Sequence, residues 1–192
     1  MPRTPAQNEA AREERQAAIL QAALVVFARH GYGGSSIRDI ATEAGIAQGL
    51  LYRYFASKEA LLQAIMEQGM RDVLQSFAEV HAGASPESQL ELLIRHSFAL
   101  VGQHQDFWRL SYSVRMQPDV LDQLRDAFRV WREAILSTLE EHLQAVGYPH
   151  AVVEAALLFA QIDGVAQHYV MDMDGYPLDE VTEAIVRHYT KL

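Results

Sequence analysis

The chain of 192 residues contains no cysteine. That excludes disulfides, Cys-ligated zinc and thiol nucleophiles. It has no run of about 18 apolar residues, so no membrane-spanning helix is expected. The opening MPRTPAQNEAAREERQ is polar and lacks the apolar segment of a secretory signal, which makes the cytoplasm the expected location. No segment alternates polar and apolar residues over a strand's length, and there is no internal repeat or low-complexity tract. Phosphate-binding glycine motifs of the P-loop and GxGxxG types are missing. The histidines at 96, 104, 142, 150, 168 and 188 lack the His-x-x-x-His and His-Glu-x-x-His spacings. Asp172-x-Asp174-Gly175 resembles the start of a calcium loop but lacks its glycine at the sixth position and its glutamate at the twelfth, so it reads as a turn. No catalytic residue, metal site or cofactor is therefore expected.

What is present is a helical pattern of globular composition, with 49% hydrophobic and 21% charged residues. The net charge of −9 is unevenly spread. Residues 1–58 hold seven basic and five acidic side chains, a net of +2, which leaves −11 on the remainder. Phosphate contact needs local positive charge, not a basic whole protein. An acidic remainder discourages adhesion to DNA through any other surface.

Residues 35–58, SSIRDIATEAGIAQGLLYRYFASK, carry the most information. Ser35 and Ser36 are N-cap types, and Asp39 stands three residues after Ser36. Ile37, Ile40, Ala41 and Ala44 recur at helical spacing, and Gly45 stops the helix where a positive φ is needed. A second short helix starts near Ala47. Small Ala41 permits close helix approach, Ile46 fills the angle, and Leu51 faces inward. This register predicts a helix-turn-helix, whose second helix enters the DNA major groove. Ser57 then caps a third, longer helix.

The segment from Gly31 to Ile65, above all Leu51-Tyr52-Arg53-Tyr54-Phe55 and Ser57-Lys58-Glu59-Ala60-Leu61, resembles the TetR/AcrR family of one-component transcriptional regulators. The last two thirds of the chain resemble it only in size, helical pattern and an Asp163-Gly164 pair. The resemblance implies an all-α fold of about nine helices: a three-helix DNA-binding head and a helical effector-binding and dimerisation bundle. The expected domains are residues 1–56, with a disordered arm over 1–12, and residues 57–192, joined through a linker at His81–Pro86.

Roles within the head follow from side-chain chemistry. Gln48 can donate and accept at a base edge, Gly49 permits close approach, and Leu50 can touch a thymine methyl. Ser36 and Tyr52 are expected on phosphates, Arg38 on a phosphate or a base, and Arg53 is the one charge on the exposed binding helix. The resemblance adds Lys58, whose counterpart in the family contacts phosphate. Tyr54 and Phe55 are assigned to the head's core. In the family, position 48 is often basic or small and position 50 is often Thr or Ser, so the departures here leave the operator sequence open. Arg3 to Arg15 read as a solvated arm, with minor-groove contact as the alternative.

Two late helices carry small residues at Ala156, Ala160 and Gly164, then His168, opposite a stripe including Val181 and Ile185. They either pack within the chain or, as the resemblance implies, form a four-helix bundle in a homodimer. Phe98, Phe107, Trp108, Tyr112, Arg115, Met116, Phe128 and Trp131 are the candidate lining of a site for a small, largely apolar effector of unknown identity. The functional expectation is a ligand-responsive regulator, a repressor released from a palindromic DNA operator. Two alternatives stand beside it: a sensor or enzyme domain with a vestigial head, and an architectural DNA-binding protein without a ligand.

Overall fold

The computed structural model describes residues 4–78 and 85–190. Among the described residues there are nine α-helices and no strand. The chain divides into two compact units, Met1–Gln68 and Gly69–Leu192. The division falls inside the fourth helix, whereas the sequence reading set it before Ser57. The expected linker at His81–Pro86 lies outside the described residues except for Ser85 and Pro86.

The head opens with α1, Pro5–His30. Its start corrects the expected disordered arm over 1–12: of that stretch, the described residues from Pro5 onward are helical. The cause is local. Thr4 and Gln7 form a reciprocal capping box, with Gln7 N–H donating to Thr4 Oγ1 at 3.3 Å and Thr4 N–H to Gln7 Oε1 at 2.9 Å. Pro5 occupies the first helical position, where its missing N–H costs nothing. Ile19, Ala23, Val26 and Phe27 form the buried stripe.

Next come α2, Ile37–Glu43, and α3, Gln48–Leu51. Ser36 and Asp39 form the expected capping box at α2. Gly45 takes φ +64 at the turn, and Ile46 N–H then donates to Ala41 O at 3.0 Å, closing the chain back on α2. Ile40, Ala41 and Leu51 are buried. Helix α4, Lys58–Ala78, buries Leu61, Leu62, Ile65 and Met66 within the head. Fully burying one such side chain contributes roughly 1.5–3 kcal/mol.

The second unit, the body, continues from Gly69 along α4 and holds α5 (Pro86–Gln103), α6 (Gln105–Arg115), α7 (Pro118–Val146), α8 (Ala151–Met171) and α9 (Leu178–Tyr189). Ser85 caps α5, and Pro86 and Pro118 stand in first turns. Helix α7 packs chiefly on α8, α5 packs on α7, α8 and α9, and α6 packs on α7 and α8. Arg95 on α5 braces α9, donating to both carboxylate oxygens of Glu183, and also meets Glu91 at 2.8 Å. Among the described residues no helix is long and apolar enough to cross a membrane.

Candidate nucleic-acid interface and ligand cavity

In the head, burial separates scaffold from surface. Ala41 and Leu51 are buried, with Leu51 at 0% exposure, and Phe55 joins them. Tyr54 is half-buried. Ser36, Arg38, Gln48, Gly49, Tyr52 and Arg53 are exposed, while Leu50 and Lys58 are half-buried. Gln48 and Gly49 sit in the first turn of α3, and a Cβ at Gly49 would meet nothing within 4 Å. Arg38 and Arg53 make no salt bridge among the described residues, so both guanidinium groups are available to an outside anion.

Two expected phosphate ligands are engaged internally. Ser36 Oγ donates to Asp39 Oδ2 at 2.6 Å and accepts from Asp39 N–H at 3.2 Å. The hydroxyl's donation, with a second from Ser36 N–H to Asp39 Oδ2 at 3.0 Å, holds the Asp39 carboxyl below the usual carboxylate range. Lys58 Nζ donates to Tyr32 O at 2.9 Å and Ser35 O at 3.1 Å, and lies 4.5 Å from the Tyr32 ring centroid. It thereby ties the α1–α2 loop to the start of α4. An ammonium has three protons, so one remains for a phosphate.

The same corner holds Tyr32, whose hydroxyl donates to Glu59 Oε1 at 3.2 Å. Burial first, then the neighbouring carboxylate, pushes the phenol from 10 up to about 12. A raised acid pKa means that the folded state prefers the protonated form. Its stabilisation is complete below pH 10 and lost as pH rises through about 12. Melting curves of the wild-type protein and Tyr32→Phe should therefore converge across that window, because the other tyrosines titrate equally in both.

In the body, a cavity of about 40 Å³ is lined by residues from α4 to α8. Of the expected residues, Trp108, Tyr112 and Trp131 line it. Phe98 and Phe107 are buried elsewhere, Phe128 is half-buried outside the lining, and Met116, at the end of α6, is 77% exposed. Arg115 is not on the wall, but it forks onto Asp163, which is, at 2.9 and 3.3 Å. Arg115 also covers the Tyr112 ring, 4.5 Å from its centroid. Tyr112 donates to the Asp163 carbonyl at 3.3 Å, and burial raises its phenol pKa well above the ordinary value.

Sequence reasoning missed Ile135 and Leu139 on α7 and Phe159, Ile162 and Asp163 on α8. Trp131, Ile135 and Leu139 recur every four residues, and that spacing from a selected aromatic was the available signal. Trp108 Nε1 and Trp131 Nε1 are buried without an acceptor among the described residues. Each such orphan donor costs about 1–3 kcal/mol.

An exposed helix-turn-helix thus stands in one compact unit, and an apolar, partly unsatisfied cavity in the other. Residues 19–65 match the family model for bacterial regulatory proteins of the tetR family. A curated relative, the HTH-type transcriptional regulator YvdT of Bacillus subtilis, is 27% identical over 169 residues, 86% of each chain. The repressor KstR2 of Rhodococcus jostii is 32% identical over 98 residues, and the match spans only 48% of that protein. Among solved structures, the regulator FadR of Bacillus subtilis in complex with stearoyl-CoA superposes with TM-score 0.77 at 22% identity, covering 91% of this chain and 97% of that one. AibR, in complex with isovaleryl coenzyme A and operator DNA, gives 0.74 at 24%, covering 93% and 100%. Residues 19–65 thus carry the helix-turn-helix domain of the tetR family of regulatory proteins, and the chain as a whole has the all-α fold of solved TetR regulators.

Proposed function

We propose that the protein is a cytoplasmic repressor that binds a palindromic operator as a homodimer and is released by a small acyl ligand in the body. The observation that carries this reading is the division of labour. The exposed face of α3 is free of packing duty, and the separate cavity has polar groups that lack partners.

At the DNA, Gln48, Gly49 and Leu50 read base edges, and Ser36, Arg38, Tyr52, Arg53 and Lys58 hold phosphates. So few readers give one head little affinity, and a second head on a twofold axis supplies the rest. The dimer forms through α8 and α9. Ala156, Ala160 and His168 are exposed, Gly164 and Val181 are half-exposed, and Val153 and Leu157 add apolar surface at 58% and 50% exposure. A Cβ at Gly164 would meet nothing within 4 Å among the described residues, so packing inside the protomer does not require that glycine. Close approach of a partner helix does. Ile185 contributes less, being 8% exposed in its own chain, although it lines the shallow groove beside Ala184 and His188.

The acyl assignment rests on the apolar lining and on two similar structures described with acyl-coenzyme A ligands. At about 40 Å³ the cavity has room for two or three waters, whereas an engineered cavity that takes up benzene measures roughly 150 Å³. An acyl group must therefore enlarge it. A ligand that enters only an expanded conformation shifts the population towards that conformation, which is what release by linkage requires. A small acyl group asks for less expansion than a long one. Isovaleryl-coenzyme A should accordingly raise the melting temperature more than stearoyl-coenzyme A at equal concentration. No shift with either compound would remove the acyl reading.

Base reading has its own test. Gln48→Ala should flatten discrimination at one position of each half-site by about 1–3 kcal/mol. Site selection from randomised duplexes measures it, and an unchanged preference at every position would remove Gln48 from the readers.

A further inference from the structure

We infer that Trp108 and Trp131 receive the uncharged carbonyl oxygen of the acyl ligand through their indole N–H groups; this rests on the acyl-ligand reading above. The two residues are the chain's only tryptophans, one on α6 and one on α7. Their ring centroids lie 6.3 Å apart, and both residues line the cavity. Both are nine-tenths or more buried, and both Nε1–H groups lack an acceptor among the described residues.

The other polar groups on the wall are already matched. Ser97 Oγ donates to Leu93 O at 2.8 Å. Tyr112 donates to the Asp163 carbonyl, and the Asp163 carboxylate is held by the Arg115 fork. What the cavity lacks is an acceptor, and an indole N–H can only donate. A ligand ammonium, which can only donate, would leave both indoles unsatisfied, and a hydroxyl can accept from them but brings a donor proton of its own. A free carboxylate fits poorly too, because the nearby cation, Arg115, is already paired with Asp163. A neutral ester or thioester carbonyl satisfies the indoles without burying a new charge.

The test compares isovaleryl-coenzyme A with its isopentyl thioether, in which a CH₂ replaces the carbonyl, on the full chain by calorimetry. The wild-type protein should bind the thioester at least tenfold more tightly, since a donor site rejects a ligand that leaves it unpaired. Trp108→Phe or Trp131→Phe should shrink that ratio while thioether affinity holds. Tryptophan emission of the wild-type protein should respond more to the thioester than to the thioether. Equal affinities in the wild-type protein, or a ratio unchanged in both variants, would overturn the assignment while leaving the acyl cavity standing. Failure of both compounds to bind would overturn it together with the acyl reading.

Discussion

Leu51→Ala is expected to lower operator affinity by a hundredfold or more and to reduce the thermal stability of the head. Leu51 is at 0% exposure on α3, the helix that carries Gln48 and Gly49. With only four residues, α3 has almost no intrinsic stability, because its nucleation cost is spread over too few hydrogen bonds. Its position is set by Leu51 packing beside Ile40 and Ala41 of α2, and by the closure from Ile46 N–H to Ala41 O. Removing three buried carbons in such a setting costs about 2–5 kcal/mol. The head spans Met1–Gln68, a size at which total stability is small, so that loss is a large share of it. Circular dichroism melts and fluorescence anisotropy on operator DNA measure both effects. Full affinity in Leu51→Ala would mean that α3 is positioned by something else.

Gly69→Ala should both destabilise the body and weaken its ligand response. Gly69 lies within α4, where alanine would ordinarily gain up to about 1 kcal/mol. Here an added Cβ would collide with the edge of the Phe107 ring, at Cε2. The Phe107 ring is buried and meets Trp108 edge-on, with centroids 5.3 Å apart. A displaced Phe107 ring presses on Trp108, which lines the cavity. Overpacking of this kind costs about 1–3 kcal/mol, enough to reverse the helix-propensity gain. Phe107→Leu in the Gly69→Ala background should restore part of the melting temperature and part of the acyl-coenzyme A affinity. A stabilised Gly69→Ala protein with unchanged ligand affinity would contradict the tight α4–α6 contact.

Much of the fold is legible in the sequence because its boundaries are chemical. Ser36 with Asp39, Gly45, Ser57, Ser85 with Pro86, and Pro118 mark helix ends through caps and fixed φ values that act within a few residues. The start of α1 is equally chemical, in Thr4, Pro5 and Gln7, but the polar residues around it read as an arm. They carry no apolar stripe, and so no periodicity, until Ile19.

The scaffold and surface of the helix-turn-helix follow from one register, since Ala41, Gly45, Ile46 and Leu51 fix which side of α3 faces out. The internal use of Lys58 does not follow from it. Its carbonyl partners, at Tyr32 and Ser35, are 26 and 23 residues away in sequence. The cavity wall is less legible still. Residue type singled out Phe107 and Met116, but one packs on α4 and the other stands in solvent. Ile135, Leu139, Phe159 and Ile162 look like ordinary core residues. Which buried faces border a void depends on how α6, α7 and α8 cross, and no single helix encodes that angle.

The most direct measurement is a mobility shift of the full chain on duplex DNA from its own promoter, with and without isovaleryl-coenzyme A. Two protomers should bind each palindrome with affinity falling steeply as salt rises, and the acyl-coenzyme A should release them. Absence of binding to any duplex at low salt, or binding that every acyl-coenzyme A leaves untouched, would contradict a ligand-released operator-binding dimer.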